Sequence, residues 1–338
     1  MKKLLLLLLA TVYLSACGKK AEKPVKDVTY TVSTLAGGPD NQPSYMNGVD
    51  TNATFDALKG ITIDASGNLY VIDRNRIKKV TQTGVVVTFV GSANPTGGFA
   101  DGIGVNALFN NPKGITIDNA GNLFVSDYGN SRIRKITPGG VVSTVAGNGQ
   151  YGAEIDGSVA IAQIAFPRNI AIDASGNLYV TDDNSQVRKI TPAGIVSTLN
   201  NAKTYGIEAI TSDATGNIYA ATFESIYKFP PLDGAASFIA GGAAGFSDGT
   251  GQDARFNFLT NITHDGSGNL YLSDATNLRI RKVTLSGIVT TIAGNGKYGY
   301  LEGPALNAEF FLPSGLVTDA VGNIYVCDMT RVRKLTKQ

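Results

Sequence analysis

A closed ring of six antiparallel β-blades, a six-bladed β-propeller, is the fold class that three observations in the sequence predict. The first is internal repetition. The pattern Asp-x-x-Gly-Asn recurs six times, with its Asn at 68, 122, 177, 217, 269 and 323, so the spacings are 54, 55, 40, 52 and 54 residues. Periods of this size mark arrays of one repeated supersecondary unit. The second is that each copy joins two short apolar runs, such as Gly114-Ile115-Thr116-Ile117 and Leu123-Phe124-Val125-Ser126. Asp caps the turn between them and Gly supplies the left-handed residue of a β-hairpin. The third lies at the chain ends. The last repeat stops after Val332-Arg333-Lys334-Leu335, while Thr31-Val32-Ser33-Thr34-Leu35-Ala36-Gly37 is a fourth strand without the three that should precede it.

The elements follow in order. After each hairpin a third strand is expected: Arg76 to Val80, Arg132 to Ile136, Gln186 to Ile190 and their counterparts. These alternate apolar residues with Arg or Lys, whose charged heads are expected to reach solvent along the sheet. A turn ending in Gly84, Gly140, Gly194, Gly234 or Gly287 leads to a fourth strand such as Val142 to Gly147. Four short strands per repeat make a propeller blade. The N-terminal strand completes the sixth blade, which removes the open sheet edge of an unclosed ring. The propeller spans 29–338.

The composition fits this class and excludes others. Among 338 residues there are 40 Gly, 43% are hydrophobic and only 17% charged, a balance foreign to disordered chains and coiled coils. Two Cys and one His leave no disulfide framework and no metal centre built on paired imidazoles. There is no Gly-x-Ser-x-Gly elbow and no phosphate-binding glycine loop.

The N-terminus carries an address. Met1-Lys2-Lys3 and six leucines form a basic start and an apolar core too short to span a bilayer. The stretch Leu14-Ser15-Ala16-Cys17 resembles the lipobox of bacterial lipoproteins. That resemblance implies a signal peptide at 1–16, a lipid on Cys17, a tether at 17–28, and an extracytoplasmic, lipid-anchored place in the bacterial cell envelope, with the membrane as a partner. Without Lys2 and Lys3 the formal charge of +2 falls to zero, and Lys19, Lys20, Lys23 and Lys26 place the remaining excess in the tether. The propeller itself is slightly acidic, so no nucleic acid is expected as a partner.

The string Gly114-Ile115 … Asp118-x-x-Gly121-Asn122-Leu123-Phe124-Val125-Ser126-Asp127 … Asn130-x-Arg132-Ile133-Arg134-Lys135 resembles the NHL repeat. The resemblance covers about residues 29–338. Blade four departs from it, with Ala221-Thr222-Phe223 in place of the Asp and Tyr227 in place of a basic residue. NHL-like propellers include an amidating lyase, and related six-bladed proteins hydrolyse lactones.

Loops of about 20 residues join the blades on the face that also bears the turns between second and third strands. They share Asp101-Gly102 with Ala107-x-Phe109, Asp156-Gly157 with Ala162-x-Ile164, Asp248-Gly249 with Ala254-x-Phe256, and Glu302-Gly303 with Ala308-x-Phe310. Before blade four this loop is missing, which explains the spacing of 40. Asp73, Asp127, Asp182, Asp274 and Asp328 after the second strands could converge on one hard cation, so Ca²⁺ is a candidate cofactor. Their other role is local, each bonding its own loop, and their regular recurrence favours it. A binding site breaks symmetry, so the ligand-binding candidates are Tyr128, Tyr205, Phe223, Glu224, Tyr227 and Tyr298, aromatic or polar groups suited to a carbohydrate or protein ligand. His264, in the inner strand Ile262-Thr263-His264-Asp265, is expected to be a packed inter-blade residue, and Cys327 a buried thiol. The expected function is an anchored binding or scaffold propeller, and the alternative is a Ca²⁺-dependent lactone hydrolase or lyase.

Overall fold

The computed structural model describes residues 28–38, 46–92, 96–152, 155–199, 206–230 and 235–338. Cys17, the signal segment, nearly all of the tether and Tyr205 lie outside them. Six antiparallel sheets form the ring. Blade one consists of Leu58–Ile63, Leu69–Asp73, Arg76–Val80 and Val85–Val90, from the channel outward. Blades two, three, four and five begin at Ile115–Ile117, Ile170–Ile172, Ile207–Ser212 and Leu259–His264. In blade six, Pro313–Thr318, Ile324–Asp328 and Arg331–Lys337 are completed by Tyr30–Ala36. That N-terminal strand pairs antiparallel with the last one, from Tyr30 opposite Lys337 to Ala36 opposite Val332. The ring is therefore closed as expected.

The four-stranded description is refined in one respect. In five sheets a two-residue strand from the inter-blade loop adds a fifth member at the outer edge, for instance Gly102–Ile103 against Val141–Val142. Each such strand carries the acid-Gly or Asn-Gly motif, so the loop wraps over its own blade before descending to the inner strand.

The repeated turn works as its composition predicts. In every blade the Asp takes the backbone N–H two and four residues on with one oxygen, and the Asn side-chain amide with the other, as Asp118 does for Ala120, Asn122 and the Asn122 amide. Its Gly is left-handed throughout, with φ between 80° and 90°. Most of the core lies between blades, where the apolar faces of neighbouring sheets meet. Phe109, Phe256 and Phe310 plug their loops into these seams and are at most 1% exposed. His264 stacks on Tyr219 of the preceding blade and accepts a hydrogen bond from Gly266. Cys327 is buried, and that burial, with Asp328 and Asp73 nearby, pushes its thiol far up in pKa.

Candidate functional site

One expectation is corrected at the third strands. Lys78, Arg134, Arg188, Arg281 and Arg333 do not reach solvent; each is fully buried. Arg134 shows why. Its guanidinium bonds Asp127 at 2.7 Å and Asp101 at 2.7 Å, and donates to the carbonyls of Leu108 and Ala100. Arg281 repeats the pattern with Asp274, Asp248, Arg255 and Ser247. The wrapping loop turns its carbonyls toward the blade, where water does not reach them, and one five-donor group satisfies several at once. The loop's acidic residue then latches the fourth strand: Asp101 accepts from Thr144, Asp156 from Thr198 and Asp248 from Thr291. The neighbouring lysines, such as Lys79 and Lys189, lie half-exposed over Tyr70 and Tyr179.

Asp73, Asp127, Asp182, Asp274 and Asp328 are accordingly the inner halves of these clamps, one in each of five blades and almost wholly buried. Asp127 also accepts from the Asn110 backbone and the Asn130 amide. Burial raises the pKa of Asp73, Asp127 and Asp274 against these bonds, and carries Asp328 to about 6. The ring holds the five apart. Among the described residues no group of three or more His, Cys, Asp or Glu is gathered as metal ligands would be.

Blade four lacks the clamp altogether. Thr222 stands in the Asp position and caps its own turn by accepting from Ser225 N–H at 3.0 Å. Tyr227 stands in the Arg position, edge-on to Phe238. The long loop, the Asp and the Arg are missing together, as expected if the Arg exists to hold the loop. Tyr227 thus covers the blade beside the gap, away from the channel. Phe223 stacks on Phe258 with centroids 5.0 Å apart, and both rings are exposed on the loop face. Glu224, next to Phe223, is half-buried.

Two more aromatic groups stand on this face. Tyr128 packs against Phe166 at 5.3 Å, and Tyr151 reaches the same ring at 5.1 Å. Tyr298, 70% exposed, meets Phe311 edge-on, and Tyr300 stacks on that ring from another side. The candidates therefore fall into separate groups around the rim: Tyr128 over blades two and three, Phe223 and Glu224 over four and five, and Tyr298 at six.

The residue that enters each inner strand was not singled out from sequence, and it forms the mouth of the channel. Around the ring these are Lys59, Lys113, Arg168, Glu208, Thr260 and Ser314. Their backbones touch: a Cβ on Gly60 would lie 2.7 Å from the Lys113 carbonyl, and one on Gly114 would lie 2.8 Å from that of Arg168. Arg168 bonds both carboxylate oxygens of Glu208 at 2.7 Å and also Asp183, which accepts the Tyr128 hydroxyl at 2.7 Å. Lys113 sits over the Tyr128 ring, 3.6 Å from its centroid. Below the mouth the channel narrows to a cavity of about 120 Å³ lined by the inner strands, with Thr62, Thr116, Asn169, Thr211 and Asn261 among isoleucines such as Ile115. Small-molecule pockets run to about 300–1,000 Å³, so the bore is too small for one. The opposite face has a hollow of about 840 Å³, but its Asp64, Asp118 and Asp319 are committed to their turns.

Comparison with known proteins agrees with this architecture. Residues 38–99 match the teneurin NHL domain and residues 109–136 match the NHL repeat. The chain is 27% identical to NHL repeat-containing protein 2 of Bos taurus over 325 residues, covering 79% of this chain and 44% of that protein. It spans less than half the length of such relatives. Among solved structures, an auxiliary nutrient binding protein from Bacteroides ovatus superposes with a TM-score of 0.72 at 18% identity, over 92% of this chain and 77% of that one. A gluconolactonase from Xanthomonas campestris does so with 0.62 at 12%, over 91% and 90%. At these identities the likeness is one of fold, which hosts binding and catalysis alike. The matched repeats and the six blades closed by the N-terminal strand make the chain an NHL-type β-propeller.

Proposed function

We propose that the protein is a lipid-anchored, extracytoplasmic binding propeller that holds a glycan or protein ligand against its loop face. One observation carries the reading. Phe166 and Phe258 have φ of 47° and 64°, in the loop position where blade two has Asn111 at 52°. Asn enters the left-handed region readily, whereas a bulky residue there is strained by roughly 1–2 kcal/mol. Strain of this kind collects at ligand sites. Both rings stand on the mouth side, one against Tyr128 and Tyr151, the other against Phe223. Flat apolar faces beside polar groups suit stacking on sugar rings or on a peptide. The Bacteroides neighbour described as a nutrient-binding protein supports binding as the use of the fold.

The test separates binding from folding. Phe166→Asn and Phe258→Asn relieve backbone strain and lose ring contacts worth about 0.5–1.5 kcal/mol, so their unfolding free energies should stay within about 1 kcal/mol of the parent. On an oligosaccharide array, and in crosslinking within native envelopes, both variants should lose at least ten-fold in capture. Parental capture by both variants would overturn the reading.

A further inference from the structure

We infer that the channel mouth is an oxyanion subsite in which Lys59 and Lys113 seat a carboxylate or phosphate group of the ligand. This deepens the binding reading above and rests on it for the ligand, though not for the site.

The charges around the mouth are distributed unevenly. Arg168 is spent: Glu208 and Asp183 take its donors. Arg74 is paired with Asp56 at 2.6 Å. Lys59 donates to the Asn111 side-chain carbonyl, a neutral acceptor. Among the described residues Lys113 makes no hydrogen bond or ion pair and rests on the π-face of Tyr128. Neither lysine has an ion pair among the described residues, and both are half-buried. Thr260, and Ser314 beside Lys59, complete the ring and add no charge. Their hydroxyls donate to Pro313 and Leu58 carbonyls.

Two ammonium groups on adjacent strands, held near each other and drawn partly out of water, are unfavourable without an anion between them. The protein's own carboxylates do not supply it, since Asp183 and Glu208 are turned to Arg168. Burial comes first in lowering the Lys113 pKa, to about 8, with Arg168 and Lys59 adding to it and Asp183 and Glu208 opposing. Burial, then Arg74, lowers Lys59 as well. An oxyanion at the mouth would bond both ammonium groups directly. The aromatic walls beside it would receive the rest of the ligand.

The experiment uses the protein 13C-dimethylated at its lysines and follows each amine by NMR as pH is raised. Three probes are added separately: D-galacturonate, the neutral methyl galactoside, and inorganic phosphate. Galacturonate or phosphate should raise the Lys113 midpoint by at least half a pH unit and move the Lys59 resonance, while the galactoside leaves both in place. Lys59→Gln should reduce the shift at Lys113 at least five-fold, and Lys297→Gln, on an outer loop, should not. A response to galacturonate alone identifies an acidic sugar, and one to phosphate alone a phosphoryl group; either supports the subsite. No shift with either anion, or an equal shift with the galactoside, overturns it. Capture on the array that survives such a result would leave the binding function standing without the anion subsite.

Discussion

Lys113 is the residue on which structure and function pull apart. Its pKa near 8 in the folded protein lies below the ordinary 10.5. Between those values the unfolded chain holds a proton that the folded one has lost, so stability rises with pH across that window. Below it, folding buries a charge without an ion-pair partner, and the seat over Tyr128 offsets part of that. Lys113→Met removes the charge and keeps the stem. Thermal unfolding at pH 7 should show a higher Tm for the variant, with the gap closing as the pH approaches 10.5. A variant less stable at pH 7 would show that the Tyr128 seat outweighs burial. Nothing in a single Lys before Gly-Ile-Thr-Ile separates it from ordinary surface charge. Only the ring brings Lys59 and Lys113 together. Aligning the six repeats would have flagged the position, because Lys59, Lys113, Arg168, Glu208, Thr260 and Ser314 differ in charge while the residue two places on is Ile or Leu in every blade.

At the level of the blade, the hairpins and ring closure were legible because they rest on local chemistry: an Asp that caps, a Gly that turns, a strand without partners. The buried clamp was not. Alternation along Arg132 to Ile136 suggests an apolar face and a wet face, yet the wet face here lies beneath the folded-back loop, and no local pattern reports a loop arriving from 30 residues away. Arg134 reaches Asp101 and Ala100 across 33 and 34 positions. Its loss leaves Asp127 buried without a cation, a defect of about 3–5 kcal/mol. Blade four suggests the repair, since Thr222 and Tyr227 occupy these positions there. Arg134→Tyr should lose about that much in denaturant unfolding, and adding Asp127→Thr should recover at least about 1 kcal/mol. A double variant as unstable as the sum of the two singles would mean that the pair does not act as a unit.

The position of the N-terminus orients the whole molecule. Thr29 accepts a hydrogen bond from the Gln338 N–H, and Lys337 lies against the Asn323 turn, bonded to its side chain at 3.0 Å. Thr29 therefore lies at the face of the Asp-x-x-Gly-Asn turns, opposite the mouth. Any chain of twelve residues spans at most about 40 Å, so an anchor at Cys17 would keep the propeller within that distance of the bilayer. With a lipid on Cys17, the turn face should look at the bilayer and the aromatic rim and Lys113 away from it, open to ligand. Two exposed residues mark the faces: Val321, 71% exposed in a turn of blade six, and Tyr298, 70% exposed on the loop side. An azide-bearing residue placed at position 321 or 298 can carry a donor dye after Cys17 has been coupled to a maleimide lipid, because Cys327 is buried. In vesicles containing an acceptor lipid, energy transfer should be stronger from position 321 than from 298. Shortening the tether by six residues should widen that difference, because the shorter chain permits less tumbling. Equal transfer from both positions at either length would mean that the propeller has no preferred orientation, and that the rim is not directed away from the membrane.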